Sequence, residues 1–368
     1  MRPEAGFAAI VPHFCFEGGF LRAETYGFGH INDTYAAYFC RANGDIHRYL
    51  LQCINSYVFQ DIKGLMQNIL AVTTHLRDKI VAAGGDPDRE TLTPIPTTEG
   101  KTFFETPGGD HWRAYIFIEG ARTYEVVESL EHIYNAGKAF GTFQKLLADF
   151  PAEQLYETIP DFHHTGKRFE AFVEAVEADT NNRAHIAKPE IAFVERRVRD
   201  TSALVELLDQ GKLPSRVTHN DTKFNNVMID DESGEGVCVI DLDTVMPGSS
   251  LYDFGDAVRY AANPAGEDER DLSRVCVDLD IYEQFARGFL DSARGFLTPQ
   301  EVDLLSFSAK LMTLECGMRF LTDYLKGDVY FKTHRESHNL DRCRTQFRMV
   351  EDMEARFDQM ERIIAQYR

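Results

Sequence analysis

The sequence predicts an α+β fold of two lobes, in which a small antiparallel sheet with one helix precedes a larger, mainly α-helical lobe. Two observations predict it. Residues 1–119 contain short apolar strands and turn signals around a single helical pattern, whereas residues 120–368 have helical periodicity interrupted by one β-like pair. The boundary between the lobes is placed at residues 119 and 120. A chain of 368 residues with 43% apolar content can bury a core in each lobe.

The first lobe is predicted from strand patterns and turns. An Asn43-Gly44 pair separates two apolar runs, which is typical of a β-hairpin. Apolar residues then recur at every third or fourth position from Asp61 to the Gly84-Gly85 pair, and this spacing predicts a helix. The predicted strands cover residues 20–25, 34–40, 47–53, 101–105 and 112–118.

The second lobe is predicted to be helical, except for one β-like pair around the turn at residues 230–234. A long terminal helix carries apolar residues at helical spacing and is expected to pack on the core. The predicted helices include residues 130–147, 163–179, 189–208 and 342–367, and the predicted strands are residues 227–229 and 237–240.

Composition excludes several classes of function. The formal net charge of −20 and the absence of a local basic patch argue against a nucleic-acid or membrane-surface partner. The seven cysteines are odd in number and scattered, as expected of reduced thiols in a core. The first eleven residues lack the apolar stretch of a signal peptide, and no run is long enough to span a membrane. We therefore expect a cytoplasmic protein, acting as a monomer on a small molecule.

The most informative stretch is a polar loop followed by an apolar strand that ends in an aspartate. His219, Asp221 and Asn226 form the pattern H-x-D-x-x-x-x-N, and Asp241 follows the strand. A carboxylate can accept a hydroxyl proton, while an amide oxygen and a second carboxylate are ligands suited to Mg²⁺. The pattern thus predicts phosphoryl transfer, with Asp221 as base, Asn226 and Asp241 as metal ligands, and Lys223 beside the transferring group.

Another interpretation starts from Asp241-Leu242-Asp243, which matches the D-x-D metal motif of glycosyltransferases. Such triplets are frequent by chance, and the upstream Asp221 and Asn226 favour a kinase. Asp253 and Asp256 are expected to hold the catalytic loop or cap a helix. The pair His163-His164 is expected at the exposed start of a helix.

These segments resemble the protein-kinase-like superfamily, in particular its aminoglycoside phosphotransferase and choline kinase branch. A closer resemblance is to the bacterial N-acetylhexosamine 1-kinases, which phosphorylate the anomeric hydroxyl of N-acetylglucosamine or N-acetylgalactosamine. It extends over nearly the whole chain and implies the bilobal kinase-like fold. The matching segments are residues 26–32, 217–226, 240–248, 251–256 and 315–320.

The resemblance implies a reaction in which ATP and Mg²⁺ transfer a phosphoryl group to C1 of the sugar. It also implies a hinge at residues 116–119, where the backbone of Phe117, Ile118 and Glu119 would meet adenine. Gly27 and Gly29 would form the glycine loop over the phosphates. The sugar would contact His30, Asn32, Tyr260, Arg319 and Tyr330. For Arg319, an ion pair with Glu315 or Asp323 on the same helix is the structural alternative.

One position departs from the protein-kinase pattern. Gln52 on the third strand lies where a lysine would hold the α- and β-phosphates, and the following helix offers no obvious glutamate partner for such a lysine. We assign Gln52 to the nucleotide side of the site, where an amide supplies a hydrogen bond but no charge. The departure leaves two further hypotheses: a silent nucleotide- or sugar-binding protein, or a kinase that acts on an amino alcohol, an aminoglycoside or another sugar.

Overall fold

A computed structural model describes residues 6–27, 31–124, 127 and 129–368. Its first lobe is built on a five-stranded antiparallel sheet in the order β1-β2-β3-β5-β4. This sheet confirms the predicted fold class. Its strands are β1 (Gly19–Thr25), β2 (Asp33–Cys40), β3 (Ile46–Ile54), β4 (Phe104–Glu105) and β5 (His111–Ile116).

The predicted strand at residues 101–105 is wrong in length. The Thr97 amide donates to the carbonyl of Lys101 at 2.8 Å, and the Lys101 amide donates to the Thr97 hydroxyl at 2.9 Å. These bonds close a turn over residues 97–101, which takes Lys101 out of reach of the sheet. Only Phe104 and Glu105 pair with β5.

Three helices accompany this sheet, where the sequence predicted one. The long helix begins after Asp61, whose Oδ1 accepts the Gly64 amide at 2.8 Å, and it ends before Gly84, whose φ of +81° only glycine adopts freely. The two short helices have one turn each and were invisible to a periodicity search. The three are α1 (Phe7–Ile10), α2 (Ile62–Ala82) and α3 (Pro87–Glu90).

The second lobe is mainly helical, as predicted. Its helices are α4 (Leu130–Leu146), α5 (Thr165–Ala178), α6 (Lys188–Glu195), α7 (Val198–Asp209), α8 (Ser250–Ala261), α9 (Leu279–Ala293), α10 (Pro299–Asp303), α11 (Leu305–Lys326), α12 (His338–Ala355) and α13 (Phe357–Tyr367).

Two predicted helices are each broken in two. Arg196 and Arg197 separate α6 from α7, and Arg356 separates α12 from α13, with φ near −110° at Arg197 and Arg356. The Arg197 guanidinium donates to both oxygens of Glu354 in the last turn of α12, at 2.9 Å and 2.6 Å, and lies over the Phe193 ring. This contact joins the break between α6 and α7 to a distant helix, and periodicity within one segment cannot reveal it.

Two small sheets position the catalytic loop. The predicted pair of strands around the turn at residues 230–234 is confirmed, and a further strand of two residues pairs with the first of them. A second pair, which was not predicted, aligns Thr218 with Met246 and so places the loop after Thr218 beside the residues that follow Asp241. The strands are β6 (Ala121–Arg122), β7 (Arg216–Thr218), β8 (Val227–Asp230), β9 (Gly236–Val239) and β10 (Met246–Gly248).

The buried apolar residues form one large cluster and two smaller ones. The large cluster joins the inner face of α2 to α4, α8, α9 and the β8–β9 pair, so the core is continuous between the lobes. The outer sheet has its own cluster around Trp112 and Phe39. Within the described residues, none of the helices combines the length and apolar character that crossing a membrane requires.

Helices α4 and α9 touch through their backbones. A Cβ added to Gly288 would lie 2.0 Å from the carbonyl oxygen of Tyr134, and one added to Gly137 would lie 2.4 Å from that of Phe285. Because no side chain fits at these positions, the glycines set the spacing of the two helices. Helix α4 is thereby fixed beside the catalytic loop.

Candidate active site

The catalytic loop runs from β7 to β8 and is organised by the buried ring of His219. Its Nε2–H donates to the carbonyl of Ile240 at 2.8 Å, and its Nδ1 accepts the amide of Asp221 at 3.3 Å. Phe140 and Phe143 contact the ring edge-on. One side chain thus joins the loop that carries the predicted base to the strand end that precedes Asp241.

Asp253 on α8 holds the backbone of the catalytic loop, as predicted. Its carboxylate accepts the backbone amides of His219 at 2.9 Å and Asn220 at 2.8 Å, and also the side-chain amide of Gln144 at 2.7 Å. Burial raises the pKa of Asp253. A buried carboxylate with three donors is a structural anchor rather than a reacting group.

Asp256 on the same helix has a similar role. It accepts the amide of Thr222 at 3.0 Å and pairs with Arg259 at 2.8 Å. Burial opposes the charge on Asp256, but the Arg259 guanidinium outweighs burial and lowers the pKa of Asp256. Helix α8 therefore presents two carboxylates to the backbone of the loop, and the prediction for both residues is confirmed.

Asp221 lies at the tip of this loop with a cation beside it. The Lys223 ammonium is 2.8 Å from Oδ1 and 2.9 Å from Oδ2 of Asp221, and the Asp221 side chain is 22% exposed. Burial opposes the charge on Lys223, but the Asp221 carboxylate outweighs it and raises the pKa of Lys223. Lys223 therefore remains charged at neutral pH, with its ammonium group against the Asp221 carboxylate.

Asn226 and Asp241 complete the group. The Asn226 side chain donates to the carbonyl of Asp221 at 2.8 Å, and the backbone carbonyl of Asn226 accepts the amide of Ile240 at 2.9 Å, which brings Asp241 next to it. Asp241 has left-handed backbone angles, φ 60° and ψ 54°. Desolvation of the carboxylate by the surrounding protein, followed by the charges of Asp243 and Asp221, raises the pKa of Asp241 to about 6, although the residue keeps part of its surface exposed.

This donor set fits a magnesium ion. Because the Asn226 amide nitrogen is engaged, its Oδ1 is the end left to face a ligand, and the Asp241 carboxylate is short of compensating charge. Both are hard oxygen donors, and Mg²⁺ needs only one or two protein ligands beside substrate phosphates. Consistent with so sparse a site, the described part of the chain contains no cluster of three or more His, Cys, Asp or Glu side chains that could hold a metal alone.

Asp243 does not share this role, because both of its oxygens are taken. The Arg113 guanidinium contacts Oδ1 through Nη1 and Oδ2 through Nη2, the latter at 3.0 Å, and the Asn32 side chain donates to Oδ2 at 2.7 Å. The interpretation of Asp241-Leu242-Asp243 as a paired metal motif is therefore disfavoured. Asn32 also accepts the backbone amide of Asn55 at 3.0 Å through Oδ1. Its predicted contact with the sugar stays a prediction.

The predicted hinge follows β5. Phe117 and Ile118 are buried, whereas Glu119 pairs with Arg48, whose guanidinium lies 3.7 Å from the centre of the Phe117 ring. The ring of Tyr26 contacts Phe117 edge-on at 5.0 Å. Tyr26 belongs to the start of the glycine loop, and this contact brings the loop to the hinge.

The glycine loop itself is described only in part. Gly27 has a φ of +74°, which favours glycine, and nothing lies within 4 Å of where its Cβ would be. Gly29 and His30, which were predicted to contact phosphate and sugar, lie outside the described residues.

His163 corrects a prediction. It is buried rather than exposed, with Nδ1 2.8 Å from Glu315 and Nε2 3.0 Å from the carbonyl of Asn220, the residue before Asp221. Burial opposes its charge, but the Glu315 carboxylate outweighs burial and raises the pKa of His163. Helix α11 is thereby tied to the catalytic loop, a contact that no local sequence signal announces.

Arg319 does not form the ion pairs weighed from the sequence. Glu315 is occupied by His163, and Asp323 accepts the three backbone amides of residues 329–331. Within the described residues, Arg319 has no carboxylate partner, and its guanidinium lies between the rings of Phe162 and Phe331, 5.3 Å and 5.8 Å from their centres. Its half-buried charge thus remains available to a ligand.

Two tyrosines were also predicted to contact the sugar. Tyr330 is 65% exposed and follows the loop anchored by Asp323, with its ring edge-on to Phe331. Tyr260 is half-buried near the end of α8 and packs against the main core. The structure places Tyr330 near Arg319, whereas Tyr260 lies on a different helix.

A comparison with protein-family models identifies the chain. Residues 73–287, more than half of the sequence, match the model of the phosphotransferase enzyme family. The chain belongs to this family. The matched segment includes Asp221, Lys223, Asn226 and Asp241.

Solved structures place this phosphotransferase in a common fold with several kinases. A microcompartment-associated aminopropanol kinase aligns with TM-score 0.56 at 15% identity, covering 97% of this chain and 99% of that one. An amicoumacin kinase solved with AMP-PNP and Ca²⁺ gives 0.58 at 13%, covering 94% and 93%. A choline kinase from Cryptosporidium parvum Iowa II gives 0.56 at 14%, covering 92% and 90%. The predicted bilobal kinase-like fold is confirmed.

The phosphotransferase differs from protein kinases on its third strand. Gln52 accepts a hydrogen bond from Arg113 Nε at 3.0 Å and donates to the Thr34 hydroxyl at 3.0 Å. Both ends of its amide are therefore engaged within the sheet. The cation that contacts this position is Arg113, which belongs to β5 rather than β3.

Proposed function

We propose that this phosphotransferase is an ATP- and Mg²⁺-dependent kinase that phosphorylates the anomeric hydroxyl of an N-acetylhexosamine. The observation that carries the kinase assignment is the convergence of Asp221, Lys223 and Asn226 on one loop, with Asp241 joined to it through Ile240. Family membership supports the reaction class, and the sequence resemblance to N-acetylhexosamine 1-kinases supports the acceptor.

In this proposal Asp221 accepts the proton of the acceptor hydroxyl and orients its oxygen for in-line attack. An anomeric hydroxyl is more acidic than an ordinary alcohol because the ring oxygen withdraws charge, so a carboxylate is a sufficient base. Lys223 keeps the Asp221 carboxylate in place and adds positive charge beside the transferred group. Asn226 and Asp241 would hold Mg²⁺, which supplies charge neutralisation on the phosphates.

The acceptor side favours a neutral sugar over a cationic aminoglycoside or amino alcohol. Arg319 follows Glu315 by one helical turn, and Glu315 is linked through His163 to the loop that carries Asp221. Within the part of the chain that is described, neither Arg319 nor its neighbour Arg168 has a carboxylate partner. Burial lowers the pKa of Arg168, and the positive charge of Arg319 lowers it further. A second cation in this region would be repelled, whereas the oxygens of a hydroxyl or acetamide group could accept from a guanidinium.

The remaining assignments belong to the same proposal. Residues 1–119 would form the nucleotide lobe and residues 120–368 the lobe that binds metal and sugar, with Phe117, Ile118 and Glu119 at adenine. The sugar would contact Arg319 and Tyr330 on one side and the segment containing His30 and Asn32 on the other. A kinase of this kind needs no second chain to complete its site, so we propose a monomer.

The test is turnover with a panel of acceptors. The purified protein is incubated with ATP and Mg²⁺ and with N-acetylglucosamine, N-acetylgalactosamine, glucose, an aminoglycoside or choline, and ADP release is measured. We expect ADP only with the N-acetylhexosamines, and phosphorus NMR of the product should identify a 1-phosphate. Transfer only to the cationic acceptors would refute the sugar assignment, and absence of ADP with every acceptor would refute the kinase.

A further inference from the structure

A buried ion pair connects the sheet of the first lobe to the turn that carries Asp241. Arg113 on β5 and Asp243 are 2% and 3% exposed at their side chains, and the guanidinium meets the carboxylate with two parallel contacts. Burial opposes the charge on Arg113, but the Asp243 carboxylate outweighs it and raises the pKa of Arg113. A paired, bidentate contact of this kind is geometrically specific as well as strong.

Arg113 contacts the position on β3 where protein kinases carry a lysine. Gln52 and Arg113 are directly opposite each other in the β3–β5 register, and their side chains are hydrogen-bonded. The cation at this position therefore belongs to β5, and its guanidinium is engaged by Gln52 and Asp243. Met66 of α2 lies 3.9 Å from the guanidinium through its sulfur, so this helix packs on Arg113 without a carboxylate.

Other contacts fix the same turn from both lobes. Asn32 donates to Asp243 at 2.7 Å, and Asn68 on α2 donates to the carbonyl of Val245 at 3.0 Å. From the catalytic loop, the Asn220 side chain donates to the carbonyl of Thr244 at 2.9 Å. Asp243, Thr244 and Val245 are therefore held from three sides, and among these contacts Arg113 supplies the charge.

We propose that Arg113 is a positioning residue for the metal site: through Asp243 it fixes the turn that presents Asp241. The inference rests on the proposed function, because it assigns Asp241 to the metal. Arg113 itself does not touch the metal. Partners of this outer kind orient a ligand, and their loss weakens metal binding by about 10- to 100-fold.

The structure offers a matched control. Arg216 on β7 makes an equally bidentate contact with the buried carboxylate of Glu301, at 2.7 Å and 2.9 Å, and among the described residues its side chain bonds Glu301 and the carbonyl of Phe296 rather than the turn after Asp241. Arg113→Met and Arg216→Met each leave one buried carboxylate without its cation, so both are expected to lower the melting temperature. Only the first should affect metal binding.

The experiment measures binding of Mn²⁺ in the presence of AMP-PNP by electron paramagnetic resonance, together with the melting temperature. We expect Arg113→Met to bind the metal–nucleotide complex at least about tenfold more weakly than the wild type, and Arg113→Lys to fall between them because an ammonium cannot make both contacts. The double variant Arg113→Met/Asp243→Asn also removes the unpaired negative charge of Asp243. It should recover much of the melting temperature while still binding the metal at least about tenfold more weakly.

If Arg113→Met fails to fold, the double variant tests the role of Arg113 in metal binding in its place. Recovery of wild-type metal binding in the double variant would mean that the pair only stabilises the fold, and the inference would be wrong. An equal loss of metal binding in Arg216→Met would overturn it too. Neither outcome bears on the proposed function, which fails instead if the wild-type protein shows no metal-dependent nucleotide binding or no turnover.

Discussion

The ammonium group of Lys223 contacts both carboxylate oxygens of Asp221, at 2.8 Å and 2.9 Å. The two residues are separated by Thr222, whose amide and hydroxyl are held by helix α8 through Asp256 and the carbonyl of Asp253. The proposed base therefore has a cation fixed beside it by its own loop.

Asp221→Asn should abolish most of the turnover while leaving nucleotide binding intact. An amide cannot accept the hydroxyl proton, and general-base catalysis contributes about 10²- to 10⁴-fold to such reactions. Steady-state kcat and the affinity for Mg²⁺–AMP-PNP would be measured side by side, with Asp231→Asn on the β8–β9 turn as the control. A variant with near-normal kcat would remove Asp221 from the mechanism.

Lys223→Met should lower kcat by about a hundredfold or more, because it removes both the positive charge beside the transferred group and the partner of Asp221. Its KM for the sugar should change little if Lys223 contributes mainly in the transition state. Comparing kcat and KM of Lys223→Met and Lys223→Arg tests this. An increase in the sugar KM with unchanged kcat would instead place Lys223 in acceptor binding.

Removal of the metal should weaken nucleotide binding. The protein carries a net charge of −20, and Asp241 and Asp221 face the region where phosphates would lie, so free ATP should bind about tenfold or more weakly in EDTA than as its magnesium complex. Calorimetric titration of ATP with and without EDTA measures the effect. Adenosine, which is uncharged, serves as the control and should be insensitive to EDTA. Equal affinity of ATP in both buffers contradicts the assignment.

The pair of His163 and Glu315 should stabilise the fold in a pH-dependent way. The folded-state pKa of His163 is raised, so its contribution is complete below the unfolded value of about 6.5 and is lost as pH rises through the folded-state pKa. The difference in unfolding free energy between wild type and His163→Gln should therefore be larger at about pH 6 than at about pH 9. Denaturant melts at both values measure it.

Glu315→Gln provides the control for this pH effect. In that background the carboxylate that favours imidazolium is gone and burial still opposes its charge, so the loss of stability on adding His163→Gln should no longer be larger at about pH 6 than at about pH 9. A pH dependence that persists without Glu315 would assign it to another group.

Asp253→Asn should destabilise the protein by about 2 kcal/mol, because one of the acceptor oxygens for the loop amides becomes a donor. Asp231→Asn, which alters an exposed pair with Arg122, should stay within about 0.5 kcal/mol of the wild type. Urea unfolding monitored by circular dichroism measures both. If the two variants were equally stable, Asp253 would not be the anchor of the loop.

Much of the fold could be predicted because its signals are local. The strands around Asn43-Gly44 and the helix from Asp61 follow from turn chemistry and periodicity, and the structure reproduces both within one or two residues. The break between α6 and α7 could not be predicted, since Arg197 contacts Glu354, 157 residues away in the chain. At Arg356 the apolar pattern continues across the break, so periodicity gives no sign of it. Short strands such as β7 and β10 have three residues each and carry no periodic signal.

The site divides in the same way. Asp221, Asn226 and Asp241 stand out because their spacing along the chain reflects a loop and a neighbouring strand end. His163 was expected at the surface and Arg113 carried no expectation, because their partners are distant, 152 residues away for His163 and Glu315 and 130 for Arg113 and Asp243. Neither a histidine pair in a polar segment nor an arginine in an apolar strand has a pattern that distinguishes a tertiary contact from a surface position.

The glycine contacts between α4 and α9 have a consequence for how well the catalytic loop keeps its shape. Gln144 is carried by α4 and reaches the Asp253 carboxylate, which holds the loop amides. Because α4 is located by backbone against backbone, at Gly137 and Gly288, no change of rotamer can loosen its position. The loop should therefore retain its geometry on warming until the whole chain unfolds, so activity and heat denaturation should end at the same temperature.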